Sequence, residues 1–202
     1  MLANWISVIR TLLAIGVVGL LFIVSPSIYW ACFILTILII WMDGLDGYVA
    51  RKLNQSSKFG AVLDILSDRI VEQVYWIGFL ALEWIPLWIP IVVVARGVLV
   101  DGLRGLALEQ GFTAFGQTTM MQSNIGVLLV SSRFSRWSYA FFKAVAFSVM
   151  ILAHTPGLPE AIGGPALSIG LASVYISVGF CILRGLPVIL ESRRFWNTES
   201  SL

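Results

Sequence analysis

Charged residues are scarce in this sequence, and two long stretches contain none at all. Lys, Arg, Asp and Glu make up 12% of the 202 residues, whereas soluble domains carry about 25%. None of the four occurs from Thr11 to Met42 or from Ala161 to Leu183. Because roughly 20 apolar residues span a bilayer as a helix, this scarcity excludes a soluble globule and predicts an integral membrane protein.

Cysteine and histidine are also rare. The two cysteines, Cys32 and Cys181, lie in apolar runs, so we expect no disulfide framework. The one histidine, His154, lies in a connection between apolar runs, and we assign it no chemistry. The first apolar run has no small-residue cleavage site and is followed directly by another, which predicts a retained helix and not a signal peptide.

The apolar runs predict six transmembrane helices in a single all-α domain that covers residues 1–202. Short connections such as Ser25–Ser27 separate the runs. Strands are not expected, because the strands of a membrane barrel need a period-two alternation that these runs lack. The predicted spans lie near Ile6–Val24, Ser27–Arg51, Phe59–Leu82, Pro86–Glu109, Trp137–Ala153 and Leu167–Leu190.

Basic residues fall on one side of this predicted topology. The connections at residues 25–27, 83–84 and 154–165 contain no Lys or Arg. The positive-inside rule therefore predicts cytoplasmic termini for a protein of the cell (inner) membrane. A seventh span within residues 110–136 would move the last two arginines outside, so we expect a cytoplasmic connection with an interfacial element there. The basic residues on the cytoplasmic side are Arg51, Lys52, Lys58, Arg133, Arg136, Arg193 and Arg194.

Four aspartates within 26 residues interrupt the apolar background. Asp43 and Asp46 end the second predicted span, and Asp64 and Asp68 begin the third. The spacings i, i+3 and i, i+4 place each pair on one face of its helix. Both pairs lie near the cytoplasmic side, so two facing helices would present four carboxylates to one cavity.

Four close carboxylates require cations, because like charges at short distance disfavour ionisation. Oxygen ligands suit hard ions such as Mg²⁺, Mn²⁺ or Ca²⁺. Two divalent ions would offset the four charges, and a metal pair can clamp the attacking and leaving oxygens of phosphoryl transfer. Arg51, one turn beyond Gly47, could hold a phosphate. The small residues around it would permit close approach of a ligand or a helix, and they are Gly44, Gly47, Ala50 and Gly60.

These residues follow the pattern D-x-x-D-G-x-x-A-R, eight residues, G-x-x-x-D-x-x-x-D with every spacing kept. The pattern resembles the signature of the CDP-alcohol phosphatidyltransferases and covers residues 43–68. The resemblance implies a membrane enzyme that transfers a phosphatidyl group from CDP-diacylglycerol to an alcohol and releases CMP. The matched positions are Asp43, Asp46, Gly47, Ala50, Arg51, Gly60, Asp64 and Asp68.

The resemblance also implies a role for each matched residue. The four aspartates would bind two divalent metal ions, Mg²⁺ or Mn²⁺, and Asp68 would also be the general base for the acceptor hydroxyl. Such families are commonly homodimeric, so the expected partners are membrane lipids and a second copy, and no nucleic acid. The CDP-binding residues would be Asp46, Gly47, Ala50, Arg51 and Gly60.

The sequence NWISVIR at Asn4–Arg10 resembles the N-x-x-T-x-x-R opening of bacterial phospholipid synthases, with Ser7 in place of Thr. An interfacial start to the first helix explains the same residues equally well.

The segment from Arg96 to Gly111 resembles the fourth span of phosphatidylglycerophosphate synthases, in which an early Arg and a later Leu-Arg pair recur. Arg96 lies well inside its predicted helix, where a charge is costly and usually faces a polar cavity. Arg96 and Arg104 could bind the phosphate of a phosphorylated acceptor, and glycerol 3-phosphate is the best match. Choline and ethanolamine would gain nothing from such residues.

Other features depart from those synthases and leave the acceptor open. Their usual G-K-x-K-T and D-P-x-A-D-K runs are replaced here by GQTTMMQ at residues 116–122 and DILSDR at residues 64–69. Phosphatidylinositol (phosphate) synthases, which use inositol or inositol phosphate, also draw basic residues from later helices and remain an alternative. The residues that could complete the acceptor pocket, or serve only as cytoplasmic anchors and headgroup contacts, are Arg133, Arg136, Lys143 and Arg184.

Two other classes of protein compete with a lipid synthase. A divalent-cation transporter also places carboxylates in membrane helices, but here they cluster at one membrane face. A catalytically inactive scaffold would not need all eight signature positions. Within the spans, we expect Glu72 and Asp101 to pair with arginines such as Arg69 and Arg104, although either could instead extend the polar cavity.

Overall fold

Helices account for almost all of the chain that the computed structural model describes. It describes residues 2–52, 58–109, 111–112, 121, 123 and 126–193, without the side chains of residues 2, 3, 46–52, 58, 131 and 133. These residues contain no strand, which confirms the all-helical prediction. The helices are α1 (Leu2–Leu20), α2 (Pro26–Lys52), α3 (Lys58–Ala81), α4 (Trp88–Glu109), a short π-helix π1 (Val127–Ser131), α5 (Arg133–Ala153) and α6 (Glu160–Glu191).

Each of the six predicted spans overlaps one of these α-helices, and the boundaries differ for local reasons. α1 ends at Leu20, four residues before the predicted end, and the chain turns before Pro26, which begins α2 as proline at a first helical position commonly does. α5 begins earlier than predicted, at Arg133. The hydroxyl of Ser132 accepts a hydrogen bond from the backbone N–H of Ser135 at 3.2 Å, which caps the helix start.

Three helical stretches of the described chain are long and apolar enough to cross a membrane: Pro26–Leu45, Phe134–Ala153 and Glu160–Glu191. A fourth, Asn4–Leu20, is apolar but shorter. Much of the surface of α2 is apolar and exposed, as is typical of a helix in contact with lipid. Its exposed large side chains include Trp30, Ile34, Ile37, Leu38 and Trp41.

The chain forms two compact units. The first comprises Met1–Pro90 and Ala144–Ser173, and the second comprises Ile91–Lys143 and Val174–Leu202. The single domain over residues 1–202 stays a prediction.

Aromatic residues of α3 and α5 form the core of the first unit. The Tyr75 ring stacks on Phe147 with ring centroids 4.6 Å apart, and Trp76 meets the same Phe147 ring edge-on at 5.0 Å. The hydroxyls of Tyr75 and Thr36 lie 2.8 Å apart, so this hydrogen bond joins α3 to α2. These contacts join α3 to α5 through aromatic packing and to α2 through a hydrogen bond.

Beyond the C-terminal end of α3, an aromatic stack joins two connections. His154 follows α5 and stacks on Trp84 at 4.0 Å, with an angle of 12° between the rings. Burial lowers the pKa of His154 below its ordinary value, although a hydrogen bond with the Met150 carbonyl opposes the shift. The neutral imidazole is therefore favoured against the Trp84 ring. The structure thus gives His154 a packing role.

The second unit contains a buried apolar cluster that includes part of the region between α4 and α5. Val100 and Ala107 of α4 pack there with Met121, with Val130 of π1 and with Val188 of α6. The described part of residues 110–136 is therefore packed against helices. That this segment lies on the cytoplasmic side and contains an interfacial element stays a prediction. Most of residues 110–125 lie outside the described chain.

Candidate active site

Carboxylates from the end of α2 and the start of α3 converge on one cation in the first unit. Asp43, Asp64 and Asp68 are about half exposed, with side-chain exposures of 52%, 47% and 48%. The cation is Arg10 of α1, of whose side chain only 2% is exposed. Three helices therefore contribute to one polar site in an otherwise apolar environment.

The guanidinium of Arg10 joins the carboxylates of two helices. Its Nη1 donates a hydrogen bond to Oδ1 of Asp43, and its Nη2 donates to Oδ1 of Asp68 at 2.6 Å. The same Nη2 lies 3.8 Å from Oδ1 of Asp64. Charge-assisted bonds from the fixed fork of an arginine are strong and directional, so Arg10 fixes the spacing between the α2 and α3 carboxylates.

Hydroxyl groups beside Arg10 attach α1 to α3. The Ser67 hydroxyl donates to the carbonyl oxygen of Ser7 at 2.8 Å and lies 2.5 Å from the hydroxyl oxygen of Thr11. Ser7, Arg10 and Thr11 follow the i, i+3, i+4 spacing that places them on one helix face. Ser67 is the residue before Asp68, so the bond that docks α1 also aligns Arg10 with the acidic helix.

Arg10 is not among the site residues predicted from the sequence. It ends the NWISVIR stretch, which an interfacial helix start explains equally well. The available signal was that Arg10 is the one basic residue of α1. Which helix its side chain would face depends on the packing of α1, and no local pattern states that.

The other predicted signature residues lie partly outside the described chain. Gly60 is half-buried in the first turn of α3. A Cβ added at Gly44 would meet nothing within 4 Å, so the described structure places no close neighbour there. The side chains of Asp46, Gly47, Ala50 and Arg51 are outside the described residues, although the α2 backbone that carries them is described.

The acidic site is suited in its chemistry to divalent cations. Carboxylate oxygens are the ligands of hard ions, and the single positive charge of Arg10 offsets only one of three negative charges. Within the described residues, no three His, Cys, Asp or Glu side chains are spaced as a ready-made metal site. The guanidinium of Arg10 donates to Oδ1 of Asp43 and Oδ1 of Asp68, so it would compete with a metal ion for these two oxygens.

One predicted ion pair next to the acidic site is confirmed. Nη1 of Arg69 lies 3.3 Å from Oε2 of Glu72, and Glu72 is 3% exposed. Glu72 therefore has a cationic partner one turn away on α3. The pairing of Asp101 with Arg104 stays a prediction.

The second unit brings together most of the arginines predicted to bind the acceptor. Arg96 and Arg184 are buried, at 9% and 7% exposure. Arg96, Arg104 and Arg136 all act electrostatically on Arg184, so four arginines form one basic cluster. The Nζ of Lys143 lies 5.2 Å from the ring centroid of Tyr139, within range of a cation–π interaction. The side chain of Arg133 is outside the described residues.

Arg96 is held between α4 and α6. Its Nε donates to the carbonyl oxygen of Cys181 at 3.0 Å. A Cβ added at Gly185 would lie 2.7 Å from its Cγ and 3.0 Å from its Nε. Gly185 is therefore the position on α6 that leaves room for the stem of Arg96.

Arg184 joins α6 to π1 and to the start of α5. Its Nη1 donates to the hydroxyl of Ser135 at 2.8 Å and to the carbonyl of Leu129 at 3.3 Å. Its Nη2 donates to the carbonyl of Val130 at 3.3 Å. Terminal carbonyls of a helix need such partners, so Arg184 stabilises the π-helical end that precedes Arg133 and Arg136.

The comparison with known families agrees with the signature. A model of the CDP-alcohol phosphatidyltransferase family matches residues 1–183. The chain belongs to the CDP-alcohol phosphatidyltransferase family. Enzymes of this family are bound to membranes and generally depend on divalent metal ions.

Curated relatives of this chain match over parts of their length. A CDP-diacylglycerol--glycerol-3-phosphate 3-phosphatidyltransferase from Bacillus subtilis (strain 168) is 38% identical over 79 residues, which are 39% of this chain and 41% of the relative. One of the same name from Cereibacter sphaeroides is 37% identical over 106 residues, 50% and 48% of the two chains. A CDP-diacylglycerol--inositol 3-phosphatidyltransferase from Candida albicans is 40% identical over 50 residues, 24% and 22%. The matched stretch covers less than half of each relative.

An apolar groove of about 290 Å³ runs along α1. It begins at Ile9, next to Arg10, and extends toward Leu20, with Leu35 of α2 on its other wall. The groove is therefore adjacent in sequence to the polar site and is apolar along its length. Its lining residues are Ile9, Leu12, Leu13, Gly16, Val17, Leu20 and Leu35.

Proposed function

We propose that this chain is an integral membrane enzyme that transfers a phosphatidyl group from CDP-diacylglycerol to a phosphorylated alcohol, with glycerol 3-phosphate as the best candidate. The observation that carries the proposal is the convergence of Asp43, Asp64 and Asp68 at one cationic position, within a complete family signature. The apolar groove beside the site supports a lipid donor.

In this proposal, Asp43, Asp46, Asp64 and Asp68 bind two divalent ions, Mg²⁺ or Mn²⁺. The bound ions would supply charge neutralisation at the pyrophosphate of the donor. The remaining signature residues form the CDP site together with Asp46. They are Gly47, Ala50, Arg51 and Gly60.

Asp68 is the proposed general base. It accepts the proton of the acceptor hydroxyl, whose oxygen then forms a bond to the phosphorus that carries the diacylglycerol. The bond from that phosphorus to the CMP oxygen breaks, and CMP leaves. The half-exposed position of Asp68 at the start of α3 supports this role, because a general base must be accessible to the second substrate.

The basic cluster of the second unit is the proposed acceptor site. A phosphorylated acceptor would balance the charge of these arginines, whereas an uncharged alcohol would leave buried cations uncompensated. Relatives named for glycerol 3-phosphate favour that acceptor, and the relative named for inositol keeps inositol or its phosphate as the alternative. The proposed acceptor-binding residues are Arg96, Arg104, Arg133, Arg136, Lys143 and Arg184.

We further propose that all six α-helices cross the membrane, with both termini and the active site on the cytoplasmic side, and that the enzyme is a homodimer. α3 and α4 have 24 and 22 residues, and at 1.5 Å per residue they measure about 36 and 33 Å, which is enough for a hydrocarbon core of about 30 Å. Their charged residues lower their hydropathy, and four of these residues belong to the proposed sites: Asp64 and Asp68 to the acidic site, and Arg96 and Arg104 to the basic cluster.

A panel of acceptors tests this function. Purified protein with Mn²⁺ and CDP-diacylglycerol receives glycerol 3-phosphate, inositol phosphate, inositol or serine, and both released CMP and lipid mass are measured. We expect CMP release and a new phospholipid with glycerol 3-phosphate, and a loss of at least about 10²-fold in rate for Asp68→Asn, as for removal of a general base.

Other outcomes would contradict the proposal in distinct ways. If a phospholipid forms only with inositol or inositol phosphate, the assigned acceptor is wrong and the assigned reaction type is right. An Asp68→Asn variant as active as the parent would refute the assigned base. Metal-dependent cation flux without CMP release would favour the divalent-cation transporter over the enzyme.

A further inference from the structure

The acidic site contains its own organic cation. Arg10 is almost fully buried while its carboxylate partners are half exposed. It reaches the carboxylates from α1, which carries no other basic residue. Its hydrogen-bond partners Asp43 and Asp68 lie 33 and 58 residues further along the sequence.

We propose that Arg10 is a positioning residue that acts as a counter-cation for the carboxylates and exchanges with metal. In the metal-free protein its guanidinium holds Asp43 and Asp68 together, and it leaves these oxygens when a divalent ion binds them. The inference rests on the proposed function, because it takes these aspartates as metal ligands.

Electrostatics supports an exchange between the two kinds of cation. Three carboxylates around a space without any cation would repel one another, and this repulsion disfavours the folded arrangement. One guanidinium supplies a single positive charge, whereas a divalent ion supplies two. The better-matched ion can therefore displace Arg10 from the oxygens of Asp43 and Asp68, and the displaced charge stays near the site because α1 is anchored through Ser7 and Ser67.

The exchange predicts opposite effects of one substitution on stability and on metal affinity. Arg10→Gln removes the competitor, so Mn²⁺ should bind on the order of tenfold more tightly than in the wild type, because a charge-assisted hydrogen bond no longer has to be broken. Without metal, the same variant should unfold at a lower temperature, by roughly 2–4 °C. A purely structural arginine would lower the unfolding temperature equally with and without metal.

The experiment uses the full chain in detergent or nanodiscs. Free Mn²⁺ is titrated and followed by electron paramagnetic resonance, and thermal unfolding is recorded in EDTA and in saturating Mn²⁺. Arg193→Gln, an exposed arginine of the second unit, is the charge-matched control and should behave like the wild type. Arg10→Lys keeps the charge without the fork and should fall between wild type and Arg10→Gln.

The outcomes separate this inference from the proposed function. If the wild type binds Mn²⁺ and Arg10→Gln binds it equally or more weakly, the exchange is wrong and the metal site stands. If the wild type binds no divalent ion, both the exchange and the proposed metal site are wrong. Should Arg10→Gln fail to fold, Arg10→Lys decides, since unchanged Mn²⁺ affinity in that variant would also overturn the exchange.

Discussion

Individual charged residues are few in this chain, and three buried arginines of the described helices have defined partners. Arg10 binds carboxylates, Arg96 binds a backbone carbonyl of α6, and Arg184 binds the end of π1. A buried arginine in a membrane helix is costly unless its donors are satisfied. The position of each buried arginine therefore indicates where the protein supplies polar partners. The small residues that leave room for its side chain indicate the same.

Gly185 makes such a space, and its replacement is the first prediction at this scale. Gly185→Ala would place a methyl group against the stem of Arg96, so Arg96 must shift. We expect a higher KM for the acceptor, an unchanged KM for CDP-diacylglycerol and a loss of about 1–3 kcal/mol of stability, as for overpacking. Steady-state kinetics with each substrate varied in turn measures the effect.

Gly179→Ala is the matched control for this substitution. It lies on the same helix, and an added Cβ there meets nothing within 4 Å. Identical acceptor KM values for the two alanine variants would show that Arg96 is not needed for acceptor binding.

At the scale of helices, the approach of α1 to α3 positions the acidic site. Gly78 of α3 lies against Val18 of α1, and a Cβ at Gly78 would overlap Cγ1 of Val18. The Ser7–Ser67 hydrogen bond lies three turns away on the same pair of helices. These two contacts together set the distance and register at which Arg10 reaches Asp43 and Asp68.

The loss of stability caused by a larger residue at Gly78 should therefore be partly reversed by a smaller residue at Val18. Gly78→Ala should lower stability by about 1–3 kcal/mol, and adding Val18→Ala should recover part of it, because the overlapping methyl group is removed. Thermal unfolding of the single and double variants gives the coupling energy. Gly19→Ala, which meets nothing within 4 Å, should be nearly neutral, and additive effects of Gly78→Ala and Val18→Ala would refute the contact.

For the whole molecule, the distribution of basic residues predicts which connections face the cytoplasm. Ser25→Cys and Glu160→Cys should react with a membrane-impermeant maleimide in intact cells, and Ser56→Cys should react only after permeabilisation. The native cysteines, Cys32 and Cys181, are buried, so we expect little maleimide labelling of the parent protein. Labelling of Ser56→Cys in intact cells would reverse the proposed orientation of the active site.

The sequence by itself determined the helices and the grouping of the acidic residues. Apolar runs predicted the six α-helices of the described chain, because helix formation follows from local hydropathy and from turn residues such as Pro26. The spacing of Asp43, Asp64 and Asp68 predicted that their carboxylates converge, since each spacing lies within a single helix or across one short loop. Helix ends were less predictable, as at α1, because apolar residues continue beyond the last helical turn.

Only the tertiary structure decided which cation meets those carboxylates and what the arginines of the second unit contact. Arg10 lies 33 and 58 residues from its partners, and Arg184 lies 49 residues from Ser135. Hydropathy and periodicity describe one helix at a time. Partners on different helices are selected by the rotation and register of helix packing, which here depend on contacts such as Gly78 against Val18 and Gly185 against Arg96.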